Sequence, residues 1–347
     1  MKVCQVLAGN EEGGLEKHTV ELAERLQKKG MDVTVVAHEK FAQELEGVRF
    51  VPMDLSKSRR NPLTLWRLGK FLRRERFDIV HTQANKATDM VAVLRPFFSS
   101  PTVATLHSQK RHLRGFEKAD CVITVSKKIG ETLRNVCKTT IYNGLTFPYT
   151  LESLQCDLHR TYRILKNRFI VCTVARLTRV KRIDIMIEAL AKLDDVHLIV
   201  VGDGEEKKRW EALAKRKGVE KRITFTGALY GKAVYEIVHN ADVFLMTSDN
   251  EGFPYTFVES MFCRTPFIST PVSDISDFIG ERYTVPFGDA EAVAQKISEM
   301  KASYETVCRD FESLFDRATR IFTLDNMTEE TIKVYRKVQD VYRSRER

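Results

Sequence analysis

The chain has 347 residues, of which 43% are hydrophobic and 30% are charged. This length predicts two domains of ordinary size, and the composition supplies two buried cores and excludes a chain that is disordered throughout. The 56 lysine and arginine residues exceed the 47 aspartate and glutamate residues, and the net charge of +9 favours anionic partners.

The cysteines and the apolar runs indicate the compartment. The seven cysteines form no C-x-x-C pair, so we expect buried, reduced thiols and a reducing environment. The first apolar run, residues 2–8, is shorter than the core of a signal peptide, and no run approaches the ~20 apolar residues that span a bilayer. We expect a cytoplasmic protein, either free or bound peripherally at the inner membrane face.

Residues 1–150 alternate between short apolar runs and amphipathic segments, which predicts a first Rossmann-like α/β domain with a parallel sheet. Gly30 is placed as the residue that ends the first helix. The predicted strands cover residues 2–8, 33–37, 50–51, 78–82, 102–107, 120–125 and 139–142, and the predicted helices cover 15–30, 63–74, 88–98 and 127–136.

The alternation weakens over residues 146–168, the predicted linker, and resumes over 165–325 as a second Rossmann-like domain. The predicted strands cover residues 169–175, 196–201, 223–226, 243–247, 267–270 and 283–286, and the predicted helices cover 183–193, 205–217, 231–239, 255–263 and 290–300. A terminal helix within 326–347 completes the chain. The expected fold class is α/β, with two parallel sheets facing a central cleft.

The strongest local motif covers residues 249–259, where a loop with Glu251 and Gly252 leads from a strand into a helix that carries Glu259. Pro254 suits a first helical turn, whose free N–H groups attract an anion. Two glutamates placed in this way can hold different hydroxyls of one sugar nucleotide. The alternative is a pair of surface glutamates beside an ordinary turn.

A second motif covers residues 174–182, after the first strand of the second half. Arg176 and Lys181 can converge on a diphosphate and stabilise the negative charge of a departing nucleoside diphosphate without a metal. The alternative is a basic surface loop.

The first half carries a glycine-rich loop over residues 9–14, including Gly13 and Gly14, whose spacing departs from G-x-G-x-x-G. His81 and His107 are each predicted to end a strand, where parallel strands present side chains to a ligand. Either histidine could bind a sugar or assist proton transfer, or be purely structural. His18 lies in the first predicted helix, and we expect it to have a structural role. No cluster of histidine, cysteine and acidic residues has metal-site spacing, so we expect no metal and no cofactor.

In these residues the chain resembles the retaining glycosyltransferases of family 4, which have the GT-B fold. The resemblance runs almost from end to end, and the order and spacing of its pieces make it specific. The matching pieces are residues 13–18, 78–81, 125–126, 141–145, 174–177, Lys181, 201–204, 225–227, 251–254 and Glu259.

The resemblance implies roles for these residues. Arg176 and Lys181 would hold the donor diphosphate, and Glu259 the ribose. Glu251, with the backbone of Gly252, Phe253 and Pro254, would contact the donor sugar. Gly13 and Gly14 would border the phosphate and the acceptor, and His107 would lie beside the transferred sugar. It implies a metal-independent enzyme that retains anomeric configuration, with an acceptor-binding first domain and a terminal helix packed back on it.

Two places depart from the family's pattern. Where the family often has a glycine before a proline, this chain has Arg264-Thr265-Pro266, and where it has a glycine pair, this chain has Val272-Ser273-Asp274. We therefore expect the loop beyond that strand to differ in its contacts with the donor.

Basic residues cluster in the first half, over residues 57–76 and 110–114. They favour an anionic glycan or lipid-linked acceptor at a membrane surface, and we expect a role in lipopolysaccharide or other surface polysaccharide synthesis. Three readings compete: a sugar-nucleotide epimerase of the same fold, a nicotinamide dehydrogenase, and a non-catalytic anion- or nucleic-acid-binding protein. The aromatic residues expected of a nucleic-acid platform are not interleaved with the charges, so we expect no nucleic acid partner.

Overall fold

The computed structural model describes residues 1–10, 13–110 and 112–346, so Glu11 and Glu12 of the glycine-rich loop and Arg111 of the second basic cluster lie outside it. The described chain divides into two compact units. The first contains Met1–Gly144 and Phe322–Arg347, and the second contains Leu145–Ile321. Each unit has its own parallel sheet, as the sequence predicts.

The sheet of the first unit has seven strands in the order β3-β2-β1-β4-β5-β6-β7. Because the chain moves outward from β1 in both directions, the strand order reverses between β1 and β4. The strands are β1 (Lys2–Leu7), β2 (Asp32–Ala37), β3 (Arg49–Pro52), β4 (Ile79–Gln83), β5 (Thr102–Leu106), β6 (Cys121–Thr124) and β7 (Lys138–Thr140).

Four helices of this unit follow the sheet strands. They are α1 (Gly14–Lys28), α2 (Pro62–Glu75), α3 (Ala84–Leu94) and α4 (Lys127–Glu131). α2 begins where the Asn61 side chain accepts a hydrogen bond from the Thr64 backbone N–H at 3.0 Å, and Pro62 occupies the first turn. The prediction of a helix to residue 136 is wrong, because α4 ends at Glu131.

Alternation along the strands separates the two faces of this sheet. Val3 and Leu7 pack under α1, whereas Cys4 and Val6 pack under α2 and α3. Both faces are buried, as a parallel sheet requires.

The second unit has a five-stranded sheet in the order β10-β9-β8-β11-β12. Here the strand order reverses between β8 and β11. The strands are β8 (Phe169–Val174), β9 (Val196–Val201), β10 (Ile223–Gly227), β11 (Val243–Met246) and β12 (Phe267–Ser269). The prediction of a strand over 283–286 is wrong, because Thr284 forms only an isolated bridge with Ser269.

Eight helices belong to the second unit: α5 (Leu158–Thr161), α6 (Ile183–Leu190), α7 (Lys207–Arg216), α8 (Lys232–Asn240), α9 (Tyr255–Phe262), α10 (Ile275–Ile279), α11 (Ala290–Ala302) and α12 (Tyr304–Ile321). α12 is not among the predicted helices. Its buried residues, Val307, Phe311, Leu314, Phe315 and Ala318, recur at helical spacing and identify its inner face.

The chain returns to the first unit with the terminal helix α13 (Leu324–Glu346). Met327, Tyr335 and Val338 of this helix belong to the same core cluster as Leu22 and Leu26 of α1. On the surface, Lys29 Nζ pairs with Glu329 Oε1 at 2.8 Å. The terminal helix is therefore an integral part of the core of the first unit.

All seven cysteines lie within the described residues and are free thiols. Cys4, Cys121, Cys172 and Cys263 are buried, as expected, whereas Cys137 is exposed. Burial raises the pKa of the Cys121 thiol to about 12.

The backbone at Gly144 fits tightly against the start of α13. A Cβ built on Gly144 would collide with the carbonyl oxygen of Thr323, whereas one built on Gly30 meets open space. We predict that Gly144→Ala lowers the free energy of unfolding by about 3 kcal/mol. Gly30→Ala, the control, costs about 1 kcal/mol through its φ of +83° alone. Urea unfolding followed by circular dichroism measures both values, and equal losses would contradict the close contact.

Candidate functional site

In the second unit, the two predicted motifs follow the two strands at which the strand order reverses. Residues 175–182 follow β8, and residues 247–254 follow β11, its neighbour in the sheet. The carboxyl ends of strands at such a reversal are the usual ligand-binding position of an open α/β sheet. Parallel pairing therefore brings together loops that lie more than sixty residues apart in the sequence.

Hydrogen bonds join these two loops directly. The Asp249 backbone N–H donates to the Val180 carbonyl oxygen at 2.8 Å, and the Thr247 hydroxyl donates to the Arg182 carbonyl oxygen at 2.9 Å. Lys181 Nζ lies 2.6 Å from Glu251 Oε1, and both side chains are largely buried. The cation of one motif thus neutralises the carboxylate of the other.

Arg176 occupies the same loop as Lys181 and is exposed. The guanidinium group offers a planar set of donors, and the lysine offers a point charge. The structure therefore places both predicted diphosphate ligands after β8.

The loop that carries Glu251 runs into the N-terminus of α9. Phe253 is buried, and its ring packs edge-to-face against Phe257 at 5.7 Å between centroids, which fixes the backbone between Gly252 and Pro254. Pro254 is extended and immediately precedes the first helical residue, Tyr255. The first-turn N–H groups and the helix dipole favour an anion here. Glu259 lies half-buried within the helix.

A third loop, residues 202–204, packs against the loop that follows β8. The Leu177 N–H donates to the Asp203 carbonyl oxygen at 2.8 Å, and the Glu206 N–H donates to the Leu177 carbonyl oxygen at 3.0 Å. A Cβ on Gly202, whose φ is +132°, would collide with the Ala175 carbonyl oxygen. This glycine is needed for the close approach of the two loops.

The two departures from the family's pattern adopt the backbone conformation that favours glycine. Arg264 has a φ of +57° and Ser273 has a φ of +52°. Arg264 is held by ion pairs with Glu312 and Asp316 of α12, the latter at 2.9 Å. The Ser273 hydroxyl donates to the Gly252 carbonyl oxygen. A glycine at residue 273 has no side chain and could not make this contact with the loop that carries Glu251.

In the first unit, Gly13 and Gly14 are exposed at the N-terminus of α1. Gly13 is extended, and Gly14 is the first helical residue. The Glu16 side chain lies beneath this turn: a Cβ on Gly9 would lie 2.6 Å from Glu16 Oε1, and one on Gly13 would lie 3.3 Å from Oε2. The buried carboxylate therefore leaves little space for a side chain at residue 9.

His107 directly follows β5, at the carboxyl edge of the sheet, as predicted. His107 Nε2 lies 2.8 Å from Gln83 Oε1, and the ring packs edge-to-face against His18 at 4.7 Å between centroids. Loss of contact with water, followed by the nearby His18 and His81, lowers the pKa of His107 well below its ordinary value. His107 is therefore neutral at physiological pH.

His81 does not end its strand, contrary to the prediction. It is fully buried within β4, opposite Gln5 of β1, and burial lowers its pKa to about 3. His81 Nδ1 lies 2.6 Å from Tyr335 Oη. Gln5 and Gln83 are not among the predicted site residues, because a glutamine in an apolar strand does not by itself indicate which strands are its neighbours.

An exposed basic and apolar surface lies on α2. Leu63 and Trp66 are 56% and 60% exposed, and the Lys70 ammonium lies 5.1 Å from the centre of the Trp66 ring. The neighbouring Arg67, Arg73, Arg74 and Arg76 are also exposed. We call this set the α2 surface.

Among residues 1–10, 13–110 and 112–346, no helix is both long enough and apolar enough to cross a membrane.

The described part of the chain contains no group of three or more histidine, cysteine, aspartate and glutamate side chains arranged to hold a metal ion.

Comparison with known proteins matches both halves of the chain to family models. Residues 12–146 match Glycosyltransferase Family 4, and residues 157–311 match Glycosyl transferases group 1. The two matches lie one on each unit and together cover most of the chain.

Individual relatives align over nearly the full length. The uncharacterized glycosyltransferase MJ1607 of Methanocaldococcus jannaschii is 24% identical, over 93% of this chain and 94% of its own. The lipopolysaccharide core biosynthesis glycosyltransferase LpsE of Rhizobium meliloti is 25% identical, over 87% and 89%. The crystal structure of Anabaena HepE in complex with UDP superposes with a TM-score of 0.81 at 18% identity, over 97% and 100%. The last match shows the GT-B fold.

The buried histidines make stability depend on pH. Burial lowers the pKa of His18 to about 4 and that of His81 to about 3, and it also lowers that of His107. In the unfolded chain these groups bind protons below about pH 6.5, so unfolding takes up protons. We predict that stability falls as the pH is lowered from 7 to 5, and that each histidine contributes up to about 1.4 kcal/mol per pH unit below about pH 6.

His81→Gln tests the assignment, because it removes one of these groups. The slope of the free energy of unfolding against pH should become shallower by up to about 1.4 kcal/mol per pH unit, because unfolding takes up one proton fewer. Urea unfolding at pH 7, 6 and 5 measures both proteins, and a wild-type stability that is flat over this range would contradict the buried neutral histidines.

Proposed function

The chain belongs to the glycosyltransferases of family 4 and group 1, and from this premise we propose that it transfers a sugar from a nucleoside-diphosphate-sugar donor to a hydroxyl group of a glycan or lipid-linked acceptor. The observation that carries the proposal is the pairing of Lys181 with Glu251 at 2.6 Å beside the N-terminus of α9. This arrangement offers a cation to a phosphate and a carboxylate to sugar hydroxyls within one small volume.

The reaction breaks the bond between the anomeric carbon and the diphosphate oxygen and forms a bond from that carbon to the acceptor oxygen. The acceptor hydroxyl loses its proton, and the nucleoside diphosphate leaves with increased negative charge. We propose that Arg176 and Lys181 stabilise this charge, together with the N–H groups of the first turn of α9. Glu251 and the backbone of Gly252 and Phe253 would bind the donor sugar, and Glu259 would bind the ribose.

We propose front-face attack with retention of anomeric configuration, in which the leaving diphosphate itself helps to accept the acceptor's proton. Side-chain cations and helix N–H groups can supply the required stabilisation without a divalent ion. A neutral His107, Gly13 and Gly14 would contact the transferred sugar and the acceptor.

Uridine diphosphate is the first nucleotide to test, because HepE of the same fold is described in complex with UDP. We predict that UDP at about 100 times its Kd stabilises the protein by about 2.7 kcal/mol in thermal-shift titrations, equally with Mg²⁺ and with EDTA. Lys181→Ala removes a charged hydrogen-bond donor and should weaken binding roughly tenfold to a hundredfold.

Lys208→Ala, which removes an exposed lysine of α7, is the matched control and should bind UDP like the wild type. Parallel titrations with GDP and ADP identify the nucleotide. Stabilisation by NAD, or a strict need for Mg²⁺, would contradict the proposed chemistry. Conversion of a nucleotide sugar to its epimer in the absence of an acceptor would show that the protein is an epimerase and not a transferase.

For the acceptor we propose an anionic, membrane-associated glycan of lipopolysaccharide or another surface polysaccharide. The similarity to LpsE supports this class, and so does the α2 surface. Its exposed tryptophan and leucine can enter the headgroup region while its arginines and lysines attract anionic lipid.

We predict that the protein binds phosphatidylcholine vesicles containing phosphatidylglycerol, and binds vesicles of phosphatidylcholine alone at least tenfold more weakly. Replacing Arg73, Arg74 and Arg76 by glutamine should cost about 1 kcal/mol per charge, and Trp66→Ala should weaken binding further.

The matched control replaces Lys215, Arg216 and Lys221, three exposed basic residues of the second unit, by glutamine. This variant has the same net charge as the arginine variant and should sediment with anionic vesicles like the wild type. Equal loss in both variants would show that net charge, and not the α2 surface, governs vesicle binding.

A further inference from the structure

A continuous chain of buried polar side chains crosses the sheet of the first unit, from α13 to the carboxyl edge. Tyr335 Oη lies 3.0 Å from Gln5 Nε2, Gln5 Oε1 lies 2.8 Å from Gln83 Nε2, and Gln83 Oε1 lies 2.8 Å from His107 Nε2. The register explains the chain, because Gln5 lies opposite His81 and Gln83 lies beside Leu7 at the same edge. Tyr335, Gln5 and Gln83 are at most 1% exposed.

Both amides point in the same direction. Each side-chain amide directs its nitrogen toward α13 and its oxygen toward His107. An amide oxygen can only accept a hydrogen bond, so the His107 Nε2 that faces Gln83 must carry the proton. A neutral imidazole has one N–H, and Nδ1 of His107 is therefore the ring's acceptor.

The hydrogen bonds of His81, at the other end of the chain, fit the same direction. Gln5 Nε2 lies 3.2 Å from His81 Nδ1, and the Tyr335 hydroxyl lies 2.6 Å from the same atom. With Nδ1 accepting, the remaining N–H of His81 is on Nε2 and donates to the Thr105 hydroxyl at 2.7 Å. Each of these hydrogen bonds then joins a donor to an acceptor, and one direction of hydrogen bonds runs through the whole chain.

We propose that Gln83 and Gln5 are positioning residues: they hold His107 as its Nε2–H tautomer, so that Nδ1 accepts a hydrogen bond from a hydroxyl group of the substrate. The substrate part of this inference rests on the proposed transferase function, whereas the tautomer does not. Apolar side chains of similar size could fill the same space, but they would fix neither the ring nor its proton.

The tautomer can be measured directly in the ligand-free protein. In a long-range ¹H–¹⁵N spectrum of protein labelled at histidine, the protonated and unprotonated ring nitrogens resonate far apart, and His107→Gln assigns the signal. We expect His107 with the proton on Nε2 at pH 7. Reversal of both amides would place it on Nδ1, and that result would overturn the inference without touching the proposed function.

Gln83→Met keeps the length of the side chain and removes the acceptor. We expect His107 to become a mixture of tautomers, and kcat for release of UDP from UDP-glucose or UDP-N-acetylglucosamine to fall roughly tenfold, the equivalent of one hydrogen bond. The Kd for UDP should stay within about threefold of the wild type, because the diphosphate is held by other residues.

Thr82→Val is the matched control, since it removes a buried hydrogen bond on the same strand, between the Thr82 and Thr88 hydroxyls at 2.8 Å, on the opposite face of the sheet. It should lower stability by an amount similar to Gln83→Met and leave the His107 tautomer and kcat unchanged. If both variants reduce kcat equally with the tautomer intact, the chain is merely structural and the inference is wrong. Absence of UDP release in the wild type would count against the transferase, while the tautomer would still decide the role of Gln83.

Discussion

Parallel strand pairing is the constraint on which the candidate residues of each unit depend. In a parallel sheet every carboxyl end lies on the same edge, and a first strand in the middle of the sheet leaves a position at which the order reverses. In the second unit, β8 and β11 pair directly, so the loops with Lys181 and Glu251 must meet. In the first unit, the pairing of β1, β4 and β5 aligns Gln5, Gln83 and His107 in the same way.

Most of the fold can be predicted from the sequence, because buried parallel strands appear as short apolar runs and their helices as amphipathic segments between them. The errors have local causes. Residues 283–286 contain an apolar pattern of strand type, yet they form only an isolated bridge between Thr284 and Ser269, and Pro286 has no backbone N–H with which to extend it. α12 has an amphipathic pattern too, with Phe311, Phe315 and Ala318 on one buried face, although it is not among the predicted helices.

The candidate site also contains residues that can be predicted from the sequence and residues that cannot. Arg176, Lys181, Glu251 and Glu259 can be found because they stand at fixed offsets from predicted strand and helix ends. Gln5 and Gln83 cannot be found in this way, because their meaning depends on which strands are neighbours. A single glutamine in an apolar strand is compatible with an edge or a loop boundary; only the order β1-β4-β5 brings two of them between Tyr335 and His107.

The two kinds of polar contact in this protein contribute differently to function. The Lys181–Glu251 pair joins opposite charges. In the proposed function, a diphosphate bound by the lysine would compete with the carboxylate, so binding would be coupled to separation of this pair. The chain from Tyr335 to His107 contains only neutral groups, so it changes no net charge and is insensitive to salt. It instead transmits orientation, because the direction of each hydrogen bond restricts that of the next. Tyr335 of α13, more than two hundred residues away in the sequence, lies at one end of the chain that we propose holds the proton of His107.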